Sequence, residues 1–192
     1  EALLAQFHDA EGLVVRGRVM LDAATLVRAP DLRFIARAGA GMENIDRSEC
    51  ARRGIRLYNS PEGNRDAVGE HAIAMLLGLM NHLPRADREV RGGKWRRKEN
   101  TGHELNGSTV GIIGFGLMGS AFAEKLQGFG VKVLAYDKYL KDYAPDNVQE
   151  TSLDDLFTHS DVISLHLPLS AETHHFADAA FFARCKRPIW FI

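Results

Sequence analysis

Val110-Gly111-Ile112-Ile113-Gly114-Phe115-Gly116-Leu117-Met118-Gly119 decides the fold. An apolar run of strand length meets a GxGxxG turn. A helical pattern follows, with Met118, Phe122, Leu126 and Phe129 on one stripe. In that context each glycine has its own role. Gly114 permits a tight turn, Gly116 lets the backbone approach a pyrophosphate, and Gly119 lets the helix pack close to the sheet. The first amides of the helix, Leu117 and Met118, then point at phosphate oxygens, and the helix dipole adds attraction. The next strand, about residues 131–135, leads to Asp137, about 20 residues past Gly116. A carboxylate there accepts from both ribose hydroxyls and repels a 2′-phosphate, which predicts NAD over NADP.

Outward from this unit the same alternation recurs. Toward the C-terminus come a short helix after Ser152, a strand over 162–165, a helix near 178–184 and an apolar strand over 189–192. Toward the N-terminus, residues 13–15, 34–36 and 55–58 read as strands. Asp22 caps a helix to about Arg28, stopped by Pro30, and Asp46 caps one that ends at Gly54. Between the two sets lies a helix over 65–80 with Val68, Ala72, Met75, Leu76 and Leu79 at helical spacing. A second helix starts at Pro84 and is broken by Gly92-Gly93. Strand–helix alternation throughout implies an α/β protein with parallel sheets. The expected division is residues 1–64 as a partial flavodoxin-like substrate-binding domain and 65–192 as a partial Rossmann-type, doubly wound NAD-binding domain. A hinge is expected near Asn64, with the cofactor in the cleft.

Bulk properties exclude several classes. The 192 residues are 45% hydrophobic and 26% charged, with a net charge of −1. That is an ordinary globular mixture and gives no reason to expect nucleic acid or an anionic membrane as partner. The basic stretch over 88–98 is diluted by Glu89 and Glu99 and reads as a solvated helix end. The longest apolar run, residues 72–80, is too short to span a bilayer, and no signal-peptide pattern opens the sequence. Cys50 and Cys185 are far apart, in no metal-ligand spacing. They read as free thiols of a cytoplasmic protein, and no metal is expected.

Several blocks, in order, resemble the D-isomer-specific 2-hydroxyacid dehydrogenase family. They are Arg37-Ala38-Gly39-Ala40-Gly41-Met42-Glu43-Asn44-Ile45-Asp46, Asn59-Ser60-Pro61-Glu62-Gly63-Asn64 with Val68-Gly69-Glu70-His71, Gly93-Lys94-Trp95, Gly102-His103-Glu104-Leu105, and His166-Leu167-Pro168-Leu169 with Glu172-Thr173. Within the family the resemblance is nearest to 3-phosphoglycerate dehydrogenase-like members. It implies NAD-dependent hydride transfer to or from a small 2-hydroxy or 2-keto acid, and a homodimer formed through the 65–80 region.

The resemblance further implies that amides around Ala40 and Gly41 hold the substrate carboxylate, with Asn64 on the substrate side and Arg37, together with Arg16, facing a phosphorylated substrate. Gly114, Gly116, Leu117, Met118, Gly119 and Asp137 hold the dinucleotide, and His166, Pro168 and Thr173 line its adenosine side. Leu117 stands where members often carry Arg or Lys, which removes one phosphate contact. The resemblance also implies a strand and helix before residue 1. It sets a catalytic arginine, glutamate and histidine after Ile192, so that no residue of 1–192 is assigned catalysis and the chain alone is expected to be inactive. His71 reads as structural, and His174 and His175 as solvent-exposed. An NAD-responsive corepressor on the same fold is the alternative, because fold does not fix function.

Overall fold

The computed structural model describes residues 7–192. The first six residues of the expected substrate-binding domain lie outside the described residues. The chain divides into two compact units, Glu1–Asn64 and Arg65–Ile192.

The first unit is a three-stranded parallel sheet of β1 (Gly12–Val15), β2 (Phe34–Arg37) and β3 (Arg56–Asn59), in that order. Two short helices connect the strands, α1 (Ala23–Leu26) and α2 (Arg47–Arg52). Each starts where an aspartate accepts a backbone N–H three residues on: Asp22 from Thr25, and Asp46 from Glu49. Helix α1 stops at Leu26 rather than near Arg28. There the end tightens into three-residue bonds, Arg28 N–H to Thr25 O (3.1 Å) and Ala29 N–H to Leu26 O (3.0 Å). Pro30 has no N–H to carry the helix on, and the Arg53 guanidinium also donates to the carbonyls of Leu26, Ala29 and Pro30. Leu21, Leu26, Ile35, Ile45, Cys50 and Ile55 form the core.

The second unit starts with α3 (Arg65–Met80) and α4 (Leu83–Arg91). Its sheet is entirely parallel, in the order β6 (Val148–Glu150), β5 (Lys132–Tyr136), β4 (Thr109–Ile113), β7 (Val162–Leu165), β8 (Trp190–Phe191). Helix α5 (Leu117–Leu126) follows β4, α6 (Leu153–His159) follows β6, and α7 (Ala179–Arg184) follows β7. Alternation along the strands sorts side chains to two faces. Val110, Ile112, Val133 and Ala135 pack with Phe122 and Leu126 of α5 and Leu76 of α3. Ile113 and Ile163 point the other way, toward Leu156, Phe157 and Phe181 of α6 and α7. A parallel sheet covered on both faces is the doubly wound arrangement.

Three further local expectations need correction. Strand β6 was not expected: Val-Gln-Glu carries a single apolar residue, and an edge strand that buries only Val148 needs no more. The helix expected over 117–129 is α-helical only to Leu126. It tightens into a 3₁₀ turn over Gln127–Phe129 and closes at Gly130, whose φ is +64°. On α3 the buried stripe is Gly69, Ala72, Leu76 and Met80, whereas Met75 and Leu79 are 46% and 41% exposed. A Cβ at Gly69 would lie 3.0 Å from the carbonyl oxygen of Ala121, so α3 crosses α5 at a separation that selects the glycine face. Among the described residues no helix is long and apolar enough to cross a membrane.

Candidate functional site

The glycine-rich turn joins β4 to α5. Gly114 has φ +89°, and a Cβ there would come within 2.5 Å of the carbonyl oxygen of His166. A Cβ on Gly119 would lie 2.1 Å from the carbonyl oxygen of Gly114. Gly116 differs: a Cβ there would meet nothing within 4 Å. It is also the N-cap of α5 and supplies no side-chain cap, so the first amides of the helix are left for an outside acceptor.

Beside the turn is a cavity of about 580 Å³ whose wall includes Gly114, Gly116, Asp137, His166, Pro168 and Thr173. Leu117, Met118 and Gly119 are not part of that wall: the first two open α5 and the third packs it against the turn. Both oxygens of Asp137 are engaged. Oδ2 accepts the Phe115 N–H (2.8 Å), and Oδ1 accepts those of Tyr139 (2.9 Å) and Leu140 (3.1 Å). Burial pushes its carboxyl pKa up, but the three backbone N–H groups together outweigh this and hold it below the usual range. Thr173 organises its own loop: its Oγ1 donates to the Pro168 carbonyl and accepts the Ser170 N–H.

His166 packs on Phe122, with ring centroids 5.3 Å apart, and its Nε2 lies 2.8 Å from Ser164 Oγ. Burial pushes its pKa down to about 4, so it is neutral at neutral pH. This sets a pH dependence of stability. In the unfolded chain the ring takes a proton near pH 6.5, and the native state refuses it until about pH 4. Its contribution is fully present above the unfolded value and lost as pH falls from there toward the folded one, by about 3 kcal/mol in full. Urea melts of the parent and of His166→Gln should therefore diverge between pH 7 and 4.5, the parent losing more. Parallel curves would show that the ring is not desolvated.

In the first unit, Arg37, Ala40, Gly41 and Asn64 line a second cavity, of about 640 Å³, together with Arg16 and Ser60. Among the described residues the amides of Ala40 and Gly41 donate to no protein acceptor. The loop carrying them is pinned from β3: Ser60 N–H donates to Gly39 O (3.1 Å) and Asn59 Nδ2 to Ala40 O (2.8 Å). Buried Asn44 ties it to the other rim, donating to Val19 O (2.7 Å) and Arg16 O (3.3 Å) and accepting from Arg37 Nε (3.3 Å). Glu43 also lines this cavity; sequence reasoning assigns it no role, although it lies in the same block. Two arginines and two free amides face this cavity, with the Glu43 carboxylate close over Gly41. His71, His103, His174 and His175 are all exposed, the first at variance with the structural role expected for it. Among the described residues no group of three or more His, Cys, Asp or Glu is placed to hold a metal.

The family model of the D-isomer specific 2-hydroxyacid dehydrogenase NAD binding domain matches residues 73–192. The chain belongs to this family. It is 38% identical over 188 residues to the D-3-phosphoglycerate dehydrogenase of Mycobacterium bovis, a match covering 97% of this chain and 36% of that protein. Against a D-lactate dehydrogenase from Aquifex aeolicus, solved with NAD and lactic acid, the TM-score is 0.87 at 33% identity, covering 98% of this chain and 57% of that one. A formate dehydrogenase from Staphylococcus aureus in complex with NAD gives a TM-score of 0.87 at 28% identity, covering 100% of this chain and 59% of that one. The chain thus spans about a third of the length of the curated relative it matches. The matched family model is that of an NAD binding domain. The residues present fit that cofactor: open space over Gly116, an uncapped helix start and an anionic Asp137 suit a pyrophosphate and a free ribose diol.

Proposed function

We propose that the chain supplies the NAD site and part of the substrate site of an enzyme that moves a hydride between NAD and a small D-2-hydroxy or 2-keto acid. In this reading Gly114, Gly116 and Gly119 shape the pyrophosphate turn, the amides of Leu117 and Met118 donate to its oxygens, and Asp137 takes the ribose hydroxyls. His166, Pro168 and Thr173 form the adenosine-side wall. Ala40 and Gly41 donate backbone N–H groups to the substrate carboxylate, with Arg37 and Asn64 beside them, and Arg16 with Arg37 suits an additional phosphate. The observation that carries the reading is Asp137 in the wall of the cavity beside an uncapped, glycine-opened helix.

When bound, NAD supplies the hydride chemistry, and the protein orients it and holds charge. Proton transfer is assigned to the histidine and glutamate, and carbonyl polarisation to the arginine, that the family resemblance sets after Ile192. No histidine among the described residues lines the Arg37–Asn64 cavity. The relative named for 3-phosphoglycerate and the two arginines make that compound the first substrate to try. The exposed apolar side chains Met75, Leu79 and Leu83 on α3 and α4 support a homodimer, and the free thiols of Cys50 and Cys185 suit a reducing cytoplasm.

The test follows NADH absorbance with the whole protein and a panel of D-2-hydroxy acids, beside residues 1–192 alone. The whole protein should turn over one of them, and residues 1–192 should bind NADH without turnover. General acid–base catalysis is typically worth about 10²–10⁴-fold. Residues 1–192 matching the whole protein's rate would refute the assignment of the proton-transfer groups.

A further inference from the structure

The residue after Asp137 is a lysine. A cation beside the ribose acid ordinarily draws a 2′-phosphate and so favours NADP. Here that cation is occupied. Lys138 Nζ donates to Glu172 Oε1 across 34 residues of sequence, and Tyr139 OH donates to Glu172 Oε2 at 2.5 Å. Asp137, Lys138, Tyr139 and Glu172 all line the same cavity. Lys138 and Tyr139 follow the end of β5, whereas Glu172 sits on the loop between β7 and α7, so the three side chains join opposite rims. Two carboxylates against one ammonium leave the rim net negative.

We propose that Glu172 is a specificity-determining residue for the cofactor. It holds the Lys138 ammonium away from a 2′-phosphate and so makes Asp137 an effective filter against NADP. The inference rests on the NAD reading of this cavity and deepens it. Asp137 alone does not complete the filter, because a free Lys138 neutralises its charge from the adjacent position. The dependence on Glu172 is electrostatic and must weaken as salt screens the rim. A unit charge a few ångströms from another in water is worth about fivefold in affinity, and a 2′-phosphate carries up to two.

Glu172→Gln removes the charge, keeps the side chain's size and leaves an oxygen for Tyr139. The experiment titrates the full chain, its Glu172→Gln variant and the Glu172→Gln/Lys138→Met double variant with NAD⁺ and with NADP⁺ by calorimetry, at low and at raised salt. Glu172→Gln should tighten NADP⁺ about five- to tenfold at low salt, with NAD⁺ unchanged within about twofold. Raised salt should erase the gain, and so should the second substitution. An unchanged NADP⁺/NAD⁺ ratio would overturn the proposal. So would parallel weakening of both dinucleotides, which marks the cluster as a strut, or a gain that survives Lys138→Met. Failure of the parent chain to bind NAD⁺ would instead sink the cofactor reading beneath it and the proposal with it.

Discussion

Gly116→Val should leave the fold intact and lower NAD affinity about a hundredfold or more. Gly116 has φ −73° and ψ −159°, an extended conformation open to valine, and a Cβ meets nothing within 4 Å. Valine is a poorer N-cap than glycine, so stability should fall by about 1 kcal/mol at most. The open space, however, is what lets the backbone approach a pyrophosphate. An isopropyl group there holds the phosphates off the amides of Leu117 and Met118. Charge-assisted hydrogen bonds are worth about 1.5–3 kcal/mol each, and losing two gives an effect of the stated size.

Gly119→Ala should act first on the fold. Its Cβ would lie 2.1 Å from the carbonyl oxygen of Gly114, backbone against backbone, with Ile112 Cγ2 at 3.3 Å behind it. Helix α5 must then move off the turn, at a cost of about 1–3 kcal/mol or more. Thermal melts and NADH fluorescence on both variants separate the two outcomes. A Gly116→Val protein that loses more than about 1 kcal/mol of stability, or that binds NADH normally, contradicts the assignment of that space to the cofactor.

Asp137→Ala should weaken NAD binding by about 1.5–3 kcal/mol, roughly 10- to 150-fold, and relax discrimination against NADP. The carboxylate serves two ends. It offers the ribose a charged acceptor, and it already accepts from Phe115, Tyr139 and Leu140. The amides of Tyr139 and Leu140 reach water when it is removed. The Phe115 bond is part-buried, and losing it should cost about 1–3 kcal/mol of stability. The depressed carboxyl pKa gives the sign of the pH effect. This contribution is present above the unfolded aspartate value near pH 4 and is lost as pH falls through the lower folded value. Calorimetric titration with NAD⁺ and NADP⁺ checks the binding, and melts at pH 7 and pH 3 check the stability. Tight NADP⁺ binding by the unmutated protein would contradict the selectivity assigned to Asp137.

The aspartates that start helices were legible because a cap is a three-residue interaction: Asp22 to Thr25 and Asp46 to Glu49 lie within one turn. The glycine turn was legible for the same reason, since strand, turn and helix are contiguous and Asp137 ends the next strand. The wall residues His166, Pro168 and Thr173 came from a family resemblance rather than from spacing, and they do line the cavity with Asp137. Periodicity on α3 was read correctly as helical, but it could not say which apolar residues stay outside. Met75 and Leu79 repeat as well as Leu76 does, and only the close crossing at Gly69 separates them.

The sequence alone determined the alternation of strands and helices, the strand–turn–helix at Gly114 to Gly119 and the acid that follows it. These are set by neighbours along the chain, whose hydrogen bonds and steric limits act over a few residues. Tertiary structure alone decided the neutral state of His166, which burial imposes. It also set the fastening of Arg16 and Val19 by Asn44, and the pairing of Lys138 and Tyr139 with Glu172. Each of these depends on groups more than twenty residues apart or on removal from water, and no local pattern of residue types encodes a distance through space.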